Sequence, residues 1–265
     1  MSDVLLPSSP VVPGREPVRL RVRDRGAGPA VLLLHGGWGY EAYPFDAAID
    51  ALAPSRRAIA PDRTGYGGSE PLDLLPRDFH RRMADETVLL LDALGIRTAA
   101  LWGHSDGAVI AAWVAIRHPA RVSALVLEAL HFRLAKPSSI PFFEDGVAAP
   151  ERYGEDVVRA LERDHGARFR EVVARGGRVW LELIRDGLRT GADLFDGRLG
   201  EVRAPVLLLH GAHDPRTEPG ELDDARRALP HAELALLEAG HAPHASRRAA
   251  ADANARAVAF LLRHG

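Results

Sequence analysis

Thr98-Ala99-Ala100-Leu101-Trp102-Gly103-His104-Ser105-Asp106-Gly107 is the stretch whose reading decides the fold of this chain. A short apolar run leads to a glycine-flanked serine, and an Ala-rich segment from Ala108 to His118 follows. The pattern reads as strand, one sharp turn, then helix. Glycines stand two residues either side of Ser105 because the turn is tight and a Cβ there would strike the neighbouring strand or helix. Such a turn lifts the Ser105 hydroxyl clear of the backbone, at the positive end of a helix.

A nucleophilic serine needs a base, the base needs an orienting acid, and a developing oxyanion needs donors. The apolar run Pro205 to His210 leads into Gly211-Ala212-His213-Asp214-Pro215, which puts Asp214 on a loop leaving a strand. A further strand, Ala232 to Leu237, leads to Glu238-Ala239-Gly240-His241. The candidate catalytic set is therefore Ser105, Asp214 and His241, in that chain order. Glu128, at the end of the apolar strand Val122 to Leu127, is the rival acid; otherwise it faces solvent or lines the pocket. His244 reads as a solvated helix-end histidine.

Upstream, Ala30 to Leu34 is a buried-strand run ending in His35-Gly36-Gly37-Trp38-Gly39. Backbone that carries glycines can approach a substrate closely, so the Gly37 N–H is one candidate oxyanion donor and the Asp106 N–H the other. Trp38, His104, Asp106 and Glu128 are the candidate substrate-binding residues, and His35 serves its own turn structurally. The histidines 210, 213, 241 and 244 do not supply a fixed zinc ligand set, so no metal is expected.

Together with the turn Asp62-Arg63-Thr64-Gly65-Tyr66-Gly67-Gly68-Ser69, which matches a D-x-x-G-x-G-x-S pattern, these motifs resemble the α/β-hydrolase superfamily over roughly residues 17–130 and 200–265. The resemblance implies a mostly parallel central sheet flanked by helices, a Ser-His-Asp triad and no cofactor. A closer resemblance is to the valacyclovir hydrolase (biphenyl hydrolase-like) group of α-amino acid ester hydrolases, carried by Ser105-Asp106-Gly107, Phe79 to Leu94 and Pro205 to Asp214. It implies that the Asp106 carboxylate helps bind a substrate ammonium group. The departures are Ala108 in place of a second glycine, His104 before the serine, and a dissimilar cap. With serine at the nucleophile position, the alkyl-ester chemistry of aspartate-based relatives such as haloalkane dehalogenases and epoxide hydrolases is disfavoured. A small carboxylic ester is the expected substrate, with an α-amino acid ester as the finer reading. The alternatives are a C–C bond hydrolase or lyase on the same scaffold, and a small-ligand receptor with a vestigial triad.

The 265 residues are ample for one large α/β domain. A formal charge of −2 argues against a nucleic-acid partner, and the absence of cysteine excludes thiol catalysis and disulfides. Residues 1–14 read as a flexible leader and no apolar run is long enough to span a bilayer, so cytoplasmic residence as a monomer or homodimer is expected. The alternation of Val18, Leu20 and Val22 with arginines predicts an edge strand. Helices are predicted at Phe45–Leu52 and Asp78–Leu94, a strand at Arg57–Ala60, and alternation of this kind implies right-handed crossovers in a mostly parallel sheet. Three parts are expected: hydrolase core over 1–130, an inserted helical cap over 131–198, and the rest of the core over 199–265. Within the cap, Leu130 to Pro150 reads as loop. Two amphipathic helices follow, near Glu151–Arg163 and Ala167–Leu188, the second interrupted at Gly176-Gly177.

Overall fold

The architecture follows from apolar runs long enough for buried strands but too short for anything else. In the computed structural model, which describes residues 1–265, eight strands form one sheet: β1 (Ser2–Leu6), β2 (Val18–Arg25), β3 (Ala30–Leu34), β4 (Arg57–Pro61), β5 (Ala99–His104), β6 (Val122–Glu128), β7 (Val206–Gly211) and β8 (Glu233–Leu237). Their spatial order is β1-β2-β4-β3-β5-β6-β7-β8, with β2 antiparallel to both neighbours and every pair from β4 to β8 parallel. β3 is apolar at every position, and β5, β6 and β7 are so apart from Ser123 and their carboxyl ends, because both faces are covered. Val31, Leu33, Trp102, Val126, Leu207 and Leu209 pack toward α1 (Asp46–Leu52) and α8 (Ala250–His264). The alternate residues Leu32, Leu34, Leu101, Leu125, Leu127 and Leu208 pack toward α2 (Phe79–Ala93) and α3 (Asp106–Arg117). Helix α3 is buried from Asp106 to Ile116, as an all-round apolar helix must be.

Between β6 and β7 lie three helices, α4 (Ile140–Ala148), α5 (Glu155–His165) and α6 (Phe169–Thr190). Helix α7 (Glu221–Ala228) follows β7. The expected loop over Leu130–Pro150 in fact holds α4. Pro141 sits in its first turn, where a missing N–H costs nothing. Helix α6 also runs unbroken through Gly176-Gly177. A Cβ on Gly177 would lie 2.8 Å from the Phe143 carbonyl oxygen, so the glycine lets α4 pack against α6 at backbone distance.

Two expectations at the amino terminus are corrected. The first residues are not a flexible leader: β1 pairs with β2 over Ser2–Leu6, Leu6, Val11 and Val12 are buried, and the Ser9 hydroxyl donates to Glu86. Consequently β1, not β2, is the sheet edge. The arginines alternating along β2 are partly satisfied across that pair, where Asp3 accepts from Arg19 and Arg21.

The glycines of the β5–α3 turn are fixed by contact. A Cβ at Gly107 would lie 2.0 Å from the Leu34 carbonyl oxygen, and one at Gly103 would lie 2.1 Å from the Gly107 carbonyl oxygen. Gly107→Ala should therefore destabilise the fold by about 3 kcal/mol or more, since backbone atoms cannot move aside as side chains do. Gly176, with open space where its Cβ would go, should instead gain about 0.5–1 kcal/mol as Gly176→Ala. Urea unfolding midpoints of the two variants check both signs.

Candidate active site

Ser105 stands at the apex between β5 and α3 with φ +57°, a left-handed conformation that a side-chain-bearing residue adopts at a cost. Its N–H donates to the Glu128 carbonyl (2.9 Å), which locks the turn against the end of β6. The hydroxyl donates to Nε2 of His241 at 3.0 Å, and His241 Nδ1–H donates to both carboxylate oxygens of Asp214, at 3.0 and 2.9 Å. Burial alone would raise the Asp214 carboxyl. The facing His241 and the Arg216 N–H hold it well below the usual carboxylate range, so it is an anion. The structure thus brings together the three residues that lie far apart in sequence.

Gly37 and Asp106 flank the serine, as a Cβ on Gly37 would lie 2.7 Å from Asp106 Oδ2. Neither N–H donates to another backbone group. His35 secures this turn: its Nε2 accepts the Arg63 N–H at 3.1 Å and its Nδ1–H donates to Gly36 O at 2.8 Å. Burial, with the nearby Arg63 charge, pushes the His35 imidazolium well down, so the ring stays neutral.

Asp106 and His104 line the cavity above Ser105, and so does Trp38, whose ring packs against Tyr153 (4.8 Å between centroids) and Phe142 (5.3 Å). The empty space there, open solvent at the mouth included, is about 830 Å³. Asp106 Oδ1 accepts from His80 Nε2 (2.9 Å) and Trp180 Nε1 (3.2 Å), while Oδ2 makes no protein hydrogen bond. Burial works against its ionisation, but His80, Arg63 and Trp180 outweigh it and the carboxyl is lowered. His104 Nε2–H donates to the His241 carbonyl at 3.0 Å. Burial first, and the nearby His241 second, press its imidazolium down to about 3.

Glu128 is not a cavity residue. It is fully buried behind β5, where Oε2 accepts from Trp102 Nε1 (2.9 Å) and Oε1 from the N–H and Nδ1–H of His244 (both 2.8 Å). His244 is correspondingly no solvated helix-end residue; its ring stacks on Phe45 at 4.3 Å. The strand-end position of Glu128 could not show which face of the sheet its side chain takes.

His131 was not foreseen. Its Nε2 lies 3.1 Å from Ser105 Oγ, and its ring stacks on His241 at 5.5 Å and 18°. Burial, with Lys136 and the neighbouring histidines, drives its imidazolium far down. Because the Ser105 hydroxyl has one proton and gives it to His241, His131 must present Nε2–H to the oxygen. Its only sequence signal was a histidine three residues past a strand end. The loop carrying it is anchored by a buried ion pair between Lys136 and Glu221, with Glu221 also accepting the N–H groups of Phe132 and Arg133.

With this geometry in place, comparison with known proteins gives the class. A family model for the alpha/beta hydrolase fold matches residues 29–188, and the chain belongs to that family. Human serine hydrolase BPHL is 29% identical over 231 residues, 84% of this chain and 76% of that protein. The pimeloyl-[acyl-carrier protein] methyl ester esterase of Nitrosomonas europaea is 28% identical over 246 residues, 86% of this chain and 94% of that protein. The 2-hydroxymuconate semialdehyde hydrolase of Pseudomonas sp. strain CF600 is 44% identical, but over only 114 residues, 42% of this chain and 39% of that protein. No helix is long and apolar enough to cross a membrane.

The end of α5 clamps onto the candidate oxyanion turn. His165 Nε2–H donates to Trp38 O (2.9 Å) while its Nδ1 accepts the Gly67 N–H (3.0 Å), an arrangement open only to a neutral ring. Burial lowers its pKa to about 4. The adjoining Asp164 is raised to about 6 by burial and by Asp62, against the Glu41 N–H and Arg23. The signs oppose. His165 stabilises fully above its ordinary value near 6.5, and that stability is lost as pH falls through about 4. Protonated Asp164 stabilises fully below its ordinary 3.8, and that stability is lost as pH rises through about 6. Asp164→Asn, which keeps an acceptor for Glu41, should raise Tm at pH 8 by the equivalent of up to about 3 kcal/mol and change little near pH 4. A Tm difference independent of pH would show that the Asp164 charge carries no such cost.

Proposed function

We propose that this α/β hydrolase is a serine hydrolase that cleaves a small carboxylic ester through an acyl-enzyme on Ser105. The observation that carries the reading is the line of hydrogen bonds from Ser105 Oγ through His241 to an anionic Asp214 at the floor of an aromatic cavity. Ser105 Oγ attacks the ester carbon as its proton passes to His241 Nε2. Asp214 holds the imidazole in the accepting tautomer and stabilises the imidazolium. The N–H groups of Gly37 and Asp106 receive the oxyanion, and His241 returns the proton to the departing alcohol. Water then gives its proton to the same nitrogen and attacks the acyl carbon, and His241 returns that proton to Ser105 Oγ as the acid departs. His131 Nε2–H positions the serine oxygen beside His241.

The finer reading is an α-amino acid ester, supported by the resemblance around Asp106 and by its carboxylate geometry. One oxygen is taken by His80 and Trp180, and the other is unbonded at the cavity wall, where an ammonium group can pair with it. A second reading, C–C bond hydrolysis, draws on the 44% identity to 2-hydroxymuconate semialdehyde hydrolase. A panel of meta-cleavage dienes separates it from esterase action, and absence of turnover on every substrate would favour a receptor.

Ser105→Ala should lose activity on 4-nitrophenyl acetate and butyrate by about 10³-fold or more and lose labelling by a fluorophosphonate. Asp214→Asn should fall steeply as well, with Glu128→Gln retaining the chemistry; the reverse order would move the acid to β6. For the amino ester, Asp106→Asn should cut kcat/KM on L-valine 4-nitrophenyl ester by about 10- to 150-fold. The same variant should leave 4-nitrophenyl 3-methylbutanoate nearly unchanged. Comparable losses on the two esters would return Asp106 to a structural role.

A further inference from the structure

The buried cations of this protein are spoken for, whereas a half-buried one at the cavity is not. Arg23 pairs with Asp62 and Lys136 with Glu221, while Arg63 and Arg175 donate to backbone carbonyls. Arg216, on the loop after β7, uses its backbone N–H on Asp214 (2.8 Å), but its guanidinium makes no hydrogen bond and has no carboxylate within 4.0 Å. Its Nη1 is buried without a partner. The group lies 3.7 Å over the Phe142 ring and lines the same cavity as Ser105 and His241. Phe142 takes up part of the guanidinium surface as a cation–π contact, and none of the guanidinium N–H groups is held by another residue beside the cavity that Arg216 lines. The one nearby carboxylate, Asp214, is committed to His241. Burial lowers the Arg216 pKa, the mark of a cation that has given up water without full compensation.

We propose that Arg216 is a carboxylate-binding subsite, so that the ester cleaved here carries a carboxylate on its acyl or its alcohol part. This deepens the esterase reading and rests on it. A planar fork with free edges matches a carboxylate bidentately. A dianionic phosphate would bring two charges to a single cation in a cavity that already holds the anionic Asp106, so the monoanion is the better match. Apolar walls from Trp38, Phe142 and Tyr153 strengthen such a pair by excluding water.

Two matched pairs of esters test the proposal, one for each position of the acid. Mono-4-nitrophenyl glutarate is compared with 4-nitrophenyl pentanoate, and 4-acetoxybenzoate with its methyl ester. Arg216→Met, which keeps length and contact with Phe142, should lower kcat/KM on the acid member of at least one pair by about 10- to 150-fold. The neutral members should stay within about threefold, and Arg216→Lys should fall between, because it keeps the charge and loses the fork. Equal losses on acid and neutral esters, or an unchanged ratio in both pairs, overturn the subsite. If the wild type turns over no ester at all, the esterase reading fails separately. The subsite is then judged by calorimetric titration of Ser105→Ala with glutarate and with 4-hydroxybenzoate. Binding that disappears on adding Arg216→Met upholds it, and no binding in either background overturns it.

Discussion

Close approach of backbone to backbone is the constraint on which the rest of this structure depends. At the β5–α3 turn, Gly107 lies against the Leu34 carbonyl and Gly103 against the Gly107 carbonyl, with room for hydrogen only. The same device recurs across the sheet. A Cβ on Gly211 would lie 2.0 Å from the Gly240 carbonyl oxygen, and the N–H groups of Ala212 and His213 donate to Leu237 and Ala239. One contact fixes where Ser105 stands; the other fixes the Asp214 loop against the His241 loop. Side-chain distances near 3 Å among residues so far apart in sequence follow from these glycine contacts, because the side chains themselves are too short to compensate for a displaced backbone.

Around Ser105 the protein distributes three buried carboxylates to three imidazoles: Asp214 to His241, Asp106 to His80 and Glu128 to His244. Each carboxyl is held low against the pull of burial by its own histidine and neighbouring donors. Only one pair reaches the serine oxygen. The Glu128 pair points to the opposite side of β5 and braces Trp102, while the Asp106 pair braces α3 and α6 through Trp180. His104 and His131 have no carboxylate partner and are pressed toward the neutral state by burial. A single imidazole beside the serine, His241, therefore combines reach to the hydroxyl with an anion behind it.

What could be read from the sequence was whatever local pattern determines. β3 is apolar throughout and is bounded by turn residues, so its limits, Ala30–Leu34, followed directly; the elbow carried its own steric signature. The residues that escaped reading depend on distant partners. The leader became β1 only because β2 offers an edge and Asp3 accepts from Arg19 and Arg21. α4 was hidden by prolines that suit a first turn, and α6 survives its glycines because α4 packs over them. Glu128 and His244 are polar residues whose burial makes sense only once each is seen to satisfy the other. His131 needed the whole loop from Phe132 to Lys136 to be folded onto Glu221 before it could reach the serine.

On the proposed function, one scaffold separates reactivity from choice of substrate. Its floor, with Ser105, His241 and the two free N–H groups, comes from strand ends whose positions are set by backbone contact and cannot drift without unfolding the elbow. Much of its roof, with Phe142, Phe143, Tyr153 and Trp180, comes from the inserted helices, where aromatic rings pack on one another and can be exchanged for others of similar volume. The two charges lie on neither side of this division by accident of sequence. Asp106 directly follows Ser105, where its N–H is the proposed oxyanion donor, and Arg216 lies two residues past Asp214, which accepts its N–H. Both side chains are thus carried into the cavity by residues whose backbone is already committed to the floor. On the proposed function, charge recognition is built into the rigid part of the site, and shape recognition into the part that can vary.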